Sequence, residues 1–403
     1  MHGSSPSWRL AALGLLAIGI MVPVTIPVPV LRELVLERFE VSELATSLFM
    51  SINMLGALVA APLAGALADR WGRRREILVG ALLADGLCFF ALTAPVPFHV
   101  FMAIRFAEGC AHISALSILL TLASQALPPE HRGRAMGLVG GSMMLGVALG
   151  APIGGVLGRG GALLPLQAGG GLLLAAALFA VAAAREVTAR DERPGLRDIV
   201  TALRAHPAVL VPLIFAFADR FTVGFFTTTF SLYLRRIYEL SSAQIGFAIA
   251  IFMIPFALLS YPFGQLAERR SPIALLCWGS LLYGTGTALV GFVAPPTPLF
   301  ALMFTIGIAA AVMFVPSLLM TIQLVPDSIR ATALGAFNGA GSLGFVLGPI
   351  AGGAISQLVA AESGWLAGYR AAFAAAGASE VLCVIVALSA LAWLRAGRAG
   401  DAG

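Results

Sequence analysis

The stretch Gly65-Ala66-Leu67-Ala68-Asp69-Arg70-Trp71-Gly72-Arg73-Arg74-Arg75 decides how this chain is read. It sets one acid and four arginines between two apolar runs of membrane-spanning length. An acid in such a place can face the positive end of a helix, while clustered arginines stay in water against anionic lipid. Gly65 and Gly72 allow close helix approach and a tight turn. A plain basic stop loop needs the arginines but neither the acid nor the glycines.

Composition sets the class. Apolar residues make up 59% of the chain and charged residues 11%, against about 45–50% and 25% in soluble domains. Glycine is abundant, at 45 residues, as expected where helices approach closely in lipid. All 25 basic residues are Arg; there is no Lys. A phosphate-binding P-loop requires its Lys, so this chain cannot itself be the ATPase of a pump, and transport has to run on a gradient or a partner. The net charge of +5 does not imply nucleic acid, because the arginines lie in short loops between apolar runs instead of forming a stripe. Cys88, Cys110, Cys277 and Cys383 fall within apolar runs and form no CxxC pair, so they read as small buried or lipid-facing side chains.

Twelve apolar stretches are long enough to cross a bilayer: 8–30, 44–68, 77–94, 100–126, 135–158 and 162–184, then 208–233, 241–266, 272–294, 299–322, 332–358 and 369–394. The first is too long for a removable signal and lacks a small-residue cleavage site. With both termini in the cytoplasm, most arginines fall inside, whereas Arg32, Arg38, Arg159, Arg235, Arg236 and Arg370 fall outside, and Arg105 and Arg220 lie within the membrane. That asymmetry fixes the orientation. The charged stretch 185–207 reads as a cytoplasmic linker between bundles at 1–184 and 208–403, part of it suited to lying on the membrane surface.

An internal repeat supports the division. Arg132-Gly133-Arg134-Ala135-Met136-Gly137 aligns with Arg330-Ala331-Thr332-Ala333-Leu334-Gly335, and the same offset carries Gly146, Gly150, Gly154 and Gly155 onto Gly344, Gly348, Gly352 and Gly353. Gly65 and Asp69 match Gly264 and Glu268 one residue out of step.

Gly65–Arg75 resembles the loop between helices 2 and 3 of the major facilitator superfamily, and Gly264-Gln265-Leu266-Ala267-Glu268-Arg269-Arg270 is a weaker second copy. In the fourth span, Arg105-Phe106-Ala107-Glu108-Gly109 resembles the family's second motif, with Glu108 where Gln is commoner. The fifth span, with Gly146, Gly150, Pro152, Gly154 and Gly155, resembles a glycine–proline motif of exporters, with the proline one residue late. Its copy at Gly344, Gly348, Pro349, Gly352 and Gly353 fits better. The end of the first span, Ile18 to Pro29, is similar to the first helix of twelve-span drug:proton antiporters. The resemblance implies two six-helix halves around a central cavity. It implies a gating role for Gly65, Asp69, Arg70, Gly72, Arg73, Arg74 and Glu268, and a packing and rocking role for the glycine–proline helices.

The ionisable residues inside the spans carry the rest. Arg105, Glu108 and His112 recur at i, i+3 and i+7, so they share one helical face. A charge at this depth is expected to face a wet cavity or a partner; the plainer alternative is an Arg105–Glu108 pair that only holds the bundle together. Asp219 and Arg220 lie roughly 16 Å into the seventh span at 1.5 Å per residue. Asp219 is the first choice for proton exchange, because burial disfavours an ionised carboxylate; a structural Asp219–Arg bridge is the alternative. Glu108, Arg105 and Asp85 are further proton-coupling candidates, and Glu380 is another intramembrane acid. Arg105, His112, Asn53, Phe221, Phe225, Arg220 and Asn338 are candidates to line a substrate cavity. Gly339-Ala340-Gly341-Ser342-Leu343-Gly344 spells a dinucleotide fingerprint, but inside an apolar span with no preceding strand. Neither cofactor nor metal is expected.

These readings converge on an all-α membrane protein of twelve transmembrane helices in two pseudo-symmetric six-helix bundles. The expected setting is the plasma (inner) membrane, as a monomer, with protons and a small molecule as partners. The expected function is proton-coupled efflux of small amphipathic or drug-like compounds by alternating access, not enzymatic chemistry. A metabolite-uptake or facilitated-diffusion carrier is the alternative within the family; a non-transporting receptor or lipid scramblase is the alternative outside it.

Overall fold

The computed structural model describes residues 6–71, 73–124, 132–183, 201, 204–326 and 329–400, and the described chain is helical throughout. Apolar backbone in lipid has to satisfy its own hydrogen bonds, which a helix does within one segment. In order, the long helices are α1 (Pro6–Thr25), α2 (Glu43–Trp71), α3 (Arg74–Ala91), α4 (Phe98–Ser124), α5 (Arg132–Leu157) and α6 (Leu164–Ala183). They continue with α7 (Leu210–Thr227), α8 (Thr229–Ile237), α9 (Ser242–Arg269), α10 (Pro272–Leu289), α11 (Thr297–Gln323), α12 (Arg330–Ser363) and α13 (Trp365–Gly400).

Each expected apolar stretch contains a helix, with two local departures. The first span leaves α-geometry after Thr25 and continues as a 3₁₀ turn, Val28–Val30, and a π-helical segment, Arg32–Glu37. Its prolines explain this, since Pro27 and Pro29 supply no backbone N–H to an α-helical ladder. The seventh span breaks into α7 and α8 at Thr228. There the Thr227 and Thr228 hydroxyls both donate to the Gly224 carbonyl, at 2.9 and 3.1 Å, so side chains occupy an acceptor near the break.

Eleven helical spans among the described residues are long and apolar enough to cross a membrane, where the sequence leads one to expect twelve. The difference is the third stretch, α3, whose eighteen residues carry Arg74, Arg75, Glu76 and Asp85. Its charged first turn shortens the apolar run below span length.

The chain forms two compact units. One comprises Met1–Asp191 together with Leu234–Ala250; the other comprises Glu192–Tyr233 and Ile251–Gly403. Most of the stretch 185–207 lies outside the described residues. In the first unit α1 packs on α5 and α6, α2 on α4, and α3 on α4 and α6. In the second, α12 packs on α7 and α13, and α10 on α11 and α13.

Glycine makes these crossings possible. A Cβ on Gly146, Gly150 or Gly154 of α5 would run into the first span at Ile18, Val22 or Ile26. A Cβ on Gly344 or Gly348 of α12 would strike the backbone of α7 at Phe217 and Phe221, and one on Gly352 would strike Thr229. These six glycines thus pack their helices against the first or seventh span inside one unit, whereas Gly155 meets Ser242. Pro152 and Pro349 lie within α5 and α12, both of which continue past them.

The segment Leu234–Ala250 is tied to the first unit by two ion pairs. Arg235 Nε lies 2.5 Å from Glu33 Oε1, and Arg236 Nε lies 2.8 Å from Glu43 Oε1. Ser242 Oγ donates to the Gly155 carbonyl at 2.9 Å, and Gly246 backs onto the Ala151 carbonyl.

Candidate functional site

The face shared by Arg105, Glu108 and His112 on α4 is buried inside the first unit, where it meets α2 and α3. The approach of α2 is set by two glycines: a Cβ on Gly56 would strike the Phe106 carbonyl, and one on Gly109 the Asn53 carbonyl. Backbones this close bring the α2 side chains onto α4.

Arg105 Nη1 donates to Glu108 Oε2 at 2.8 Å, and Nε donates to the Phe49 carbonyl at 3.4 Å. Its guanidinium carbon lies 4.4 Å from the centroid of the Phe49 ring. Asn53 Nδ2 donates to the same Glu108 oxygen. One turn further along α4, His112 Nδ1 lies 3.1 Å from Asp85 Oδ2 of α3. Arg105 is 1% exposed, Glu108 3%, His112 7% and Asp85 0%, so none of these groups relies on bulk water. The second oxygen of Asp85 is buried without a hydrogen-bond partner.

Charge accounting gives this cluster its chemistry. It holds two acids, one guanidinium that is always charged, and one imidazole. Neutrality requires one further proton, either on His112 or shared with a carboxyl. Isolated buried charge is costly, so a charge imbalance in this cluster has to be met by groups within it. Asp85, Glu108 and His112 also each offer one ligand atom within 4.8 Å of one another, a spacing a metal ion can bridge. Glu108 already accepts from Arg105 and Asn53.

In the second unit Asp219 is 6% exposed and enters no ion pair among the described residues. Arg220 turns away from it: its guanidinium lies 5.1 Å from the Phe337 ring and 5.5 Å from the Phe314 ring, and it donates to the Ala216 carbonyl. The structural Asp219–Arg bridge is therefore absent among the described residues.

The other expected residues fall in varied places. Phe225 is fully buried and packs with Ala372 and Ala376, and Phe221 is half-buried beside it. Asn338 on α12 is exposed. Of the loop motif, Gly72 lies outside the described residues, as do the side chains of Asp69, Arg70 and Glu268, and Gly65 is described in its backbone alone. Arg73 is exposed and pairs with Glu76 at 3.2 Å, whereas Arg74 is buried. Sequence spacing names Asp85 as a candidate but does not show that it meets His112 of α4. It misses that Glu33 and Glu43 take the arginines of the α8 end. Arg38, outside the spans, also went unassigned: it donates to the carbonyls of Leu92, Thr93 and Ala94 at the end of α3, where a cation favours the helix dipole. Burial lowers the proton affinity of its guanidinium.

A family model described as Major Facilitator Superfamily matches residues 12–218 and 212–401. The chain is 27% identical to the chloramphenicol resistance protein of Streptomyces lividans, over 62% of this chain and 65% of that one. It is 27% identical to the 3-(3-hydroxy-phenyl)propionate transporter of Escherichia coli (strain K12), over 80% of each. It is 23% identical to multidrug resistance protein 2 of Bacillus subtilis (strain 168), over 75% of this chain and 78% of that one. Among solved structures, a bacterial homologue of the human lysosomal transporter Spinster, in an inward-facing and occupied conformation, superposes with a TM-score of 0.84. That match has 16% identity and covers 96% of this chain and 97% of the other. The nucleoside transporter NupG gives a TM-score of 0.78 at 14% identity, covering 96% of this chain and 99% of the other. With a fold, a buried ionisable cluster and a family model that agree over nearly the whole length, the chain is a multi-pass membrane protein of the Major Facilitator Superfamily, a transporter and not an enzyme.

Proposed function

We propose that this transporter exchanges protons for small amphipathic compounds, exporting them by alternating access of two six-helix halves. The observation that carries the reading is the cluster of Arg105, Glu108, Asn53, His112 and Asp85. It is buried at mid-span and needs one proton for neutrality. A proton held there favours one conformation, and its release favours another. Substrate that competes with the proton converts a proton gradient into a substrate gradient. Each proton moving inward contributes about 2.3 kcal/mol per 100 mV of membrane potential. Asp219 is a buried acid of the second unit and the second candidate for the exchanged proton.

The internal glycine repeat supports twelve spans in two pseudo-symmetric halves, joined by the linker at 185–207, with α3 (Arg74–Ala91) as the third. In this reading both termini are cytoplasmic, the plasma (inner) membrane is the site, one chain is the working unit, and the Asp69 loop acts as a gate. The likeness to chloramphenicol and multidrug resistance proteins supports efflux.

A second reading, uptake of an aromatic acid, is favoured by the match to the phenylpropionate transporter over 80% of the chain. Everted membrane vesicles with an acid interior separate the two. Efflux predicts that [¹⁴C]chloramphenicol accumulates inside and that collapsing the pH gradient abolishes accumulation. Right-side-out vesicles accumulating 3-(3-hydroxyphenyl)propionate instead would establish uptake. Chloramphenicol accumulation that ignores the gradient would defeat proton exchange.

A further inference from the structure

The second unit contains a buried acid that the cluster on α4 does not explain. Glu380 lies near the middle of α13, is 0% exposed, and enters no ion pair among the described residues. Its Oε2 is 2.5 Å from Ser280 Oγ on α10, and Ser280 Oγ is also 3.3 Å from the Glu380 main-chain carbonyl. A serine hydroxyl has one hydrogen to give. If Glu380 were ionised, Ser280 would face two acceptors with one donor. If the carboxyl carries a proton, it donates to Ser280, Ser280 donates to the carbonyl, and both bonds are satisfied. An ionised carboxylate without a cation at this depth would cost several kcal/mol.

The surroundings are polar in a way that core packing does not require. Ser280, Tyr283 and Thr287 recur at i, i+3 and i+7 on α10, all fully buried. Tyr283 Oη, Thr287 Oγ1 and Glu380 Oε1 are all buried without a hydrogen-bond partner. Native interiors rarely leave three such atoms unsatisfied on two adjoining helices. From α7, Thr222 Oγ1 lies 3.5 Å from Ser379 Oγ, the residue next to Glu380, and Thr222 sits one helical turn from Asp219. Thr222 Oγ1 also donates to the Ala376 carbonyl at 3.4 Å, so α7 meets α13 about one turn before Glu380. The helices meet tightly here because Gly284 of α10 and Gly377 of α13 each back onto the other's carbonyl.

We propose that Glu380 is a second exchangeable proton site of the transport cycle, loaded in this conformation and connected to Asp219 through Thr222 and the polar face of α10. In the step, the Glu380 O–H bond breaks and an O–H bond forms on the Asp219 carboxylate. The negative charge moves from Asp219 to Glu380 and no co-reactant is needed. The other titratable groups on the helices packed against α13 are Arg220 on α7, Cys277 and Tyr283 on α10, and Arg330 and Glu362 at the two ends of α12; α13 itself carries Tyr369, Arg370 and Cys383. The inference rests on the proton-exchange reading above, and its test has a readout that does not depend on transport.

Infrared spectra of the reconstituted full chain at pH 7, in H₂O and then D₂O, report protonated carboxyl groups by their C=O band above the amide region. Wild type is expected to show a band that shifts in D₂O and is missing from Glu380→Gln. Ser280→Ala, which removes the bonding partner and keeps the acid, is expected to move the band to higher frequency. It provides the test if Glu380→Gln does not fold. A band unchanged in both variants, or one that never exchanges, overturns the proposal. In proteoliposomes, a wild type that moves chloramphenicol with protons alongside a Glu380→Gln protein with the same proton-to-substrate ratio also overturns it. A wild type that transports without protons while the Glu380 band exchanges instead defeats the proton-exchange reading and leaves the site standing.

Discussion

His112 Nδ1 lies 3.1 Å from Asp85 Oδ2, joining the middle of α4 to the middle of α3. The contact extends an Arg105–Glu108 pair into a five-residue network that spans three helices.

Asp85→Asn removes the surplus negative charge of that network, so its need for a proton disappears. Gradient-driven transport is expected to fall by about tenfold, equivalent to ~1.4 kcal/mol in the barrier. Asp85→Asn/His112→Gln is expected to be no worse than Asp85→Asn alone, because the two residues act as a unit. Initial rates in vesicles with and without a pH gradient check both statements.

Arg105→Ala leaves Glu108 buried beside Asn53 without its cation. Loss of about 3–5 kcal/mol of stability is expected. Arg105→Ala/Glu108→Gln should recover most of it, since no unpaired charge remains. Unfolding of the purified variants in detergent, followed by intrinsic fluorescence, measures the difference. Equal stability of the single and double variants would show that Glu108 takes up a proton once its cation is removed.

The packing of α2 on α4 depends on Gly109, whose Cβ would strike the Asn53 carbonyl. Gly109→Val is expected to cost about 1–3 kcal/mol through overpacking, and also to lower transport by displacing Asn53 from Glu108. Gly140→Ala, where a Cβ meets nothing within 4 Å, is the control and should be neutral. Thermal aggregation of detergent extracts ranks the three proteins.

What the sequence carried, and what it did not, divides along physical lines. Helical periodicity is a property of one segment, so the shared face of Arg105, Glu108 and His112 was legible. Apolar length placed a helix in every expected stretch, although α3 has too charged a first turn to qualify as a span. Which side chain meets which across helices depends on crossing points set by glycines. That is why spacing did not show that Asp85 meets His112, or that Phe225 packs on Ala372. Arg235 and Arg236 read only as topology signals. Their acids, Glu33 and Glu43, lie far away in sequence, and no spacing rule reaches them.

Those two pairs yield a further expectation. Glu43 is 2% exposed beside Arg236. Arg236→Glu places two acids together and is expected to lower both folded yield and transport. The exchanged pair, Glu43→Arg/Arg236→Glu, should restore a substantial part of each. Double-mutant-cycle analysis of unfolding midpoints would give the coupling; a coupling near zero would reduce the pair to a surface contact.

The most direct measurement of proton exchange is proton counter-flow in proteoliposomes. An internal pH-sensitive dye is monitored while chloramphenicol is added to wild type, Glu108→Gln and Asp219→Asn. The account predicts proton movement opposite to substrate in the wild type, and its loss in both variants even where substrate still equilibrates. Proton counter-flow undiminished in both variants, or substrate movement without any proton signal in the wild type, would contradict it.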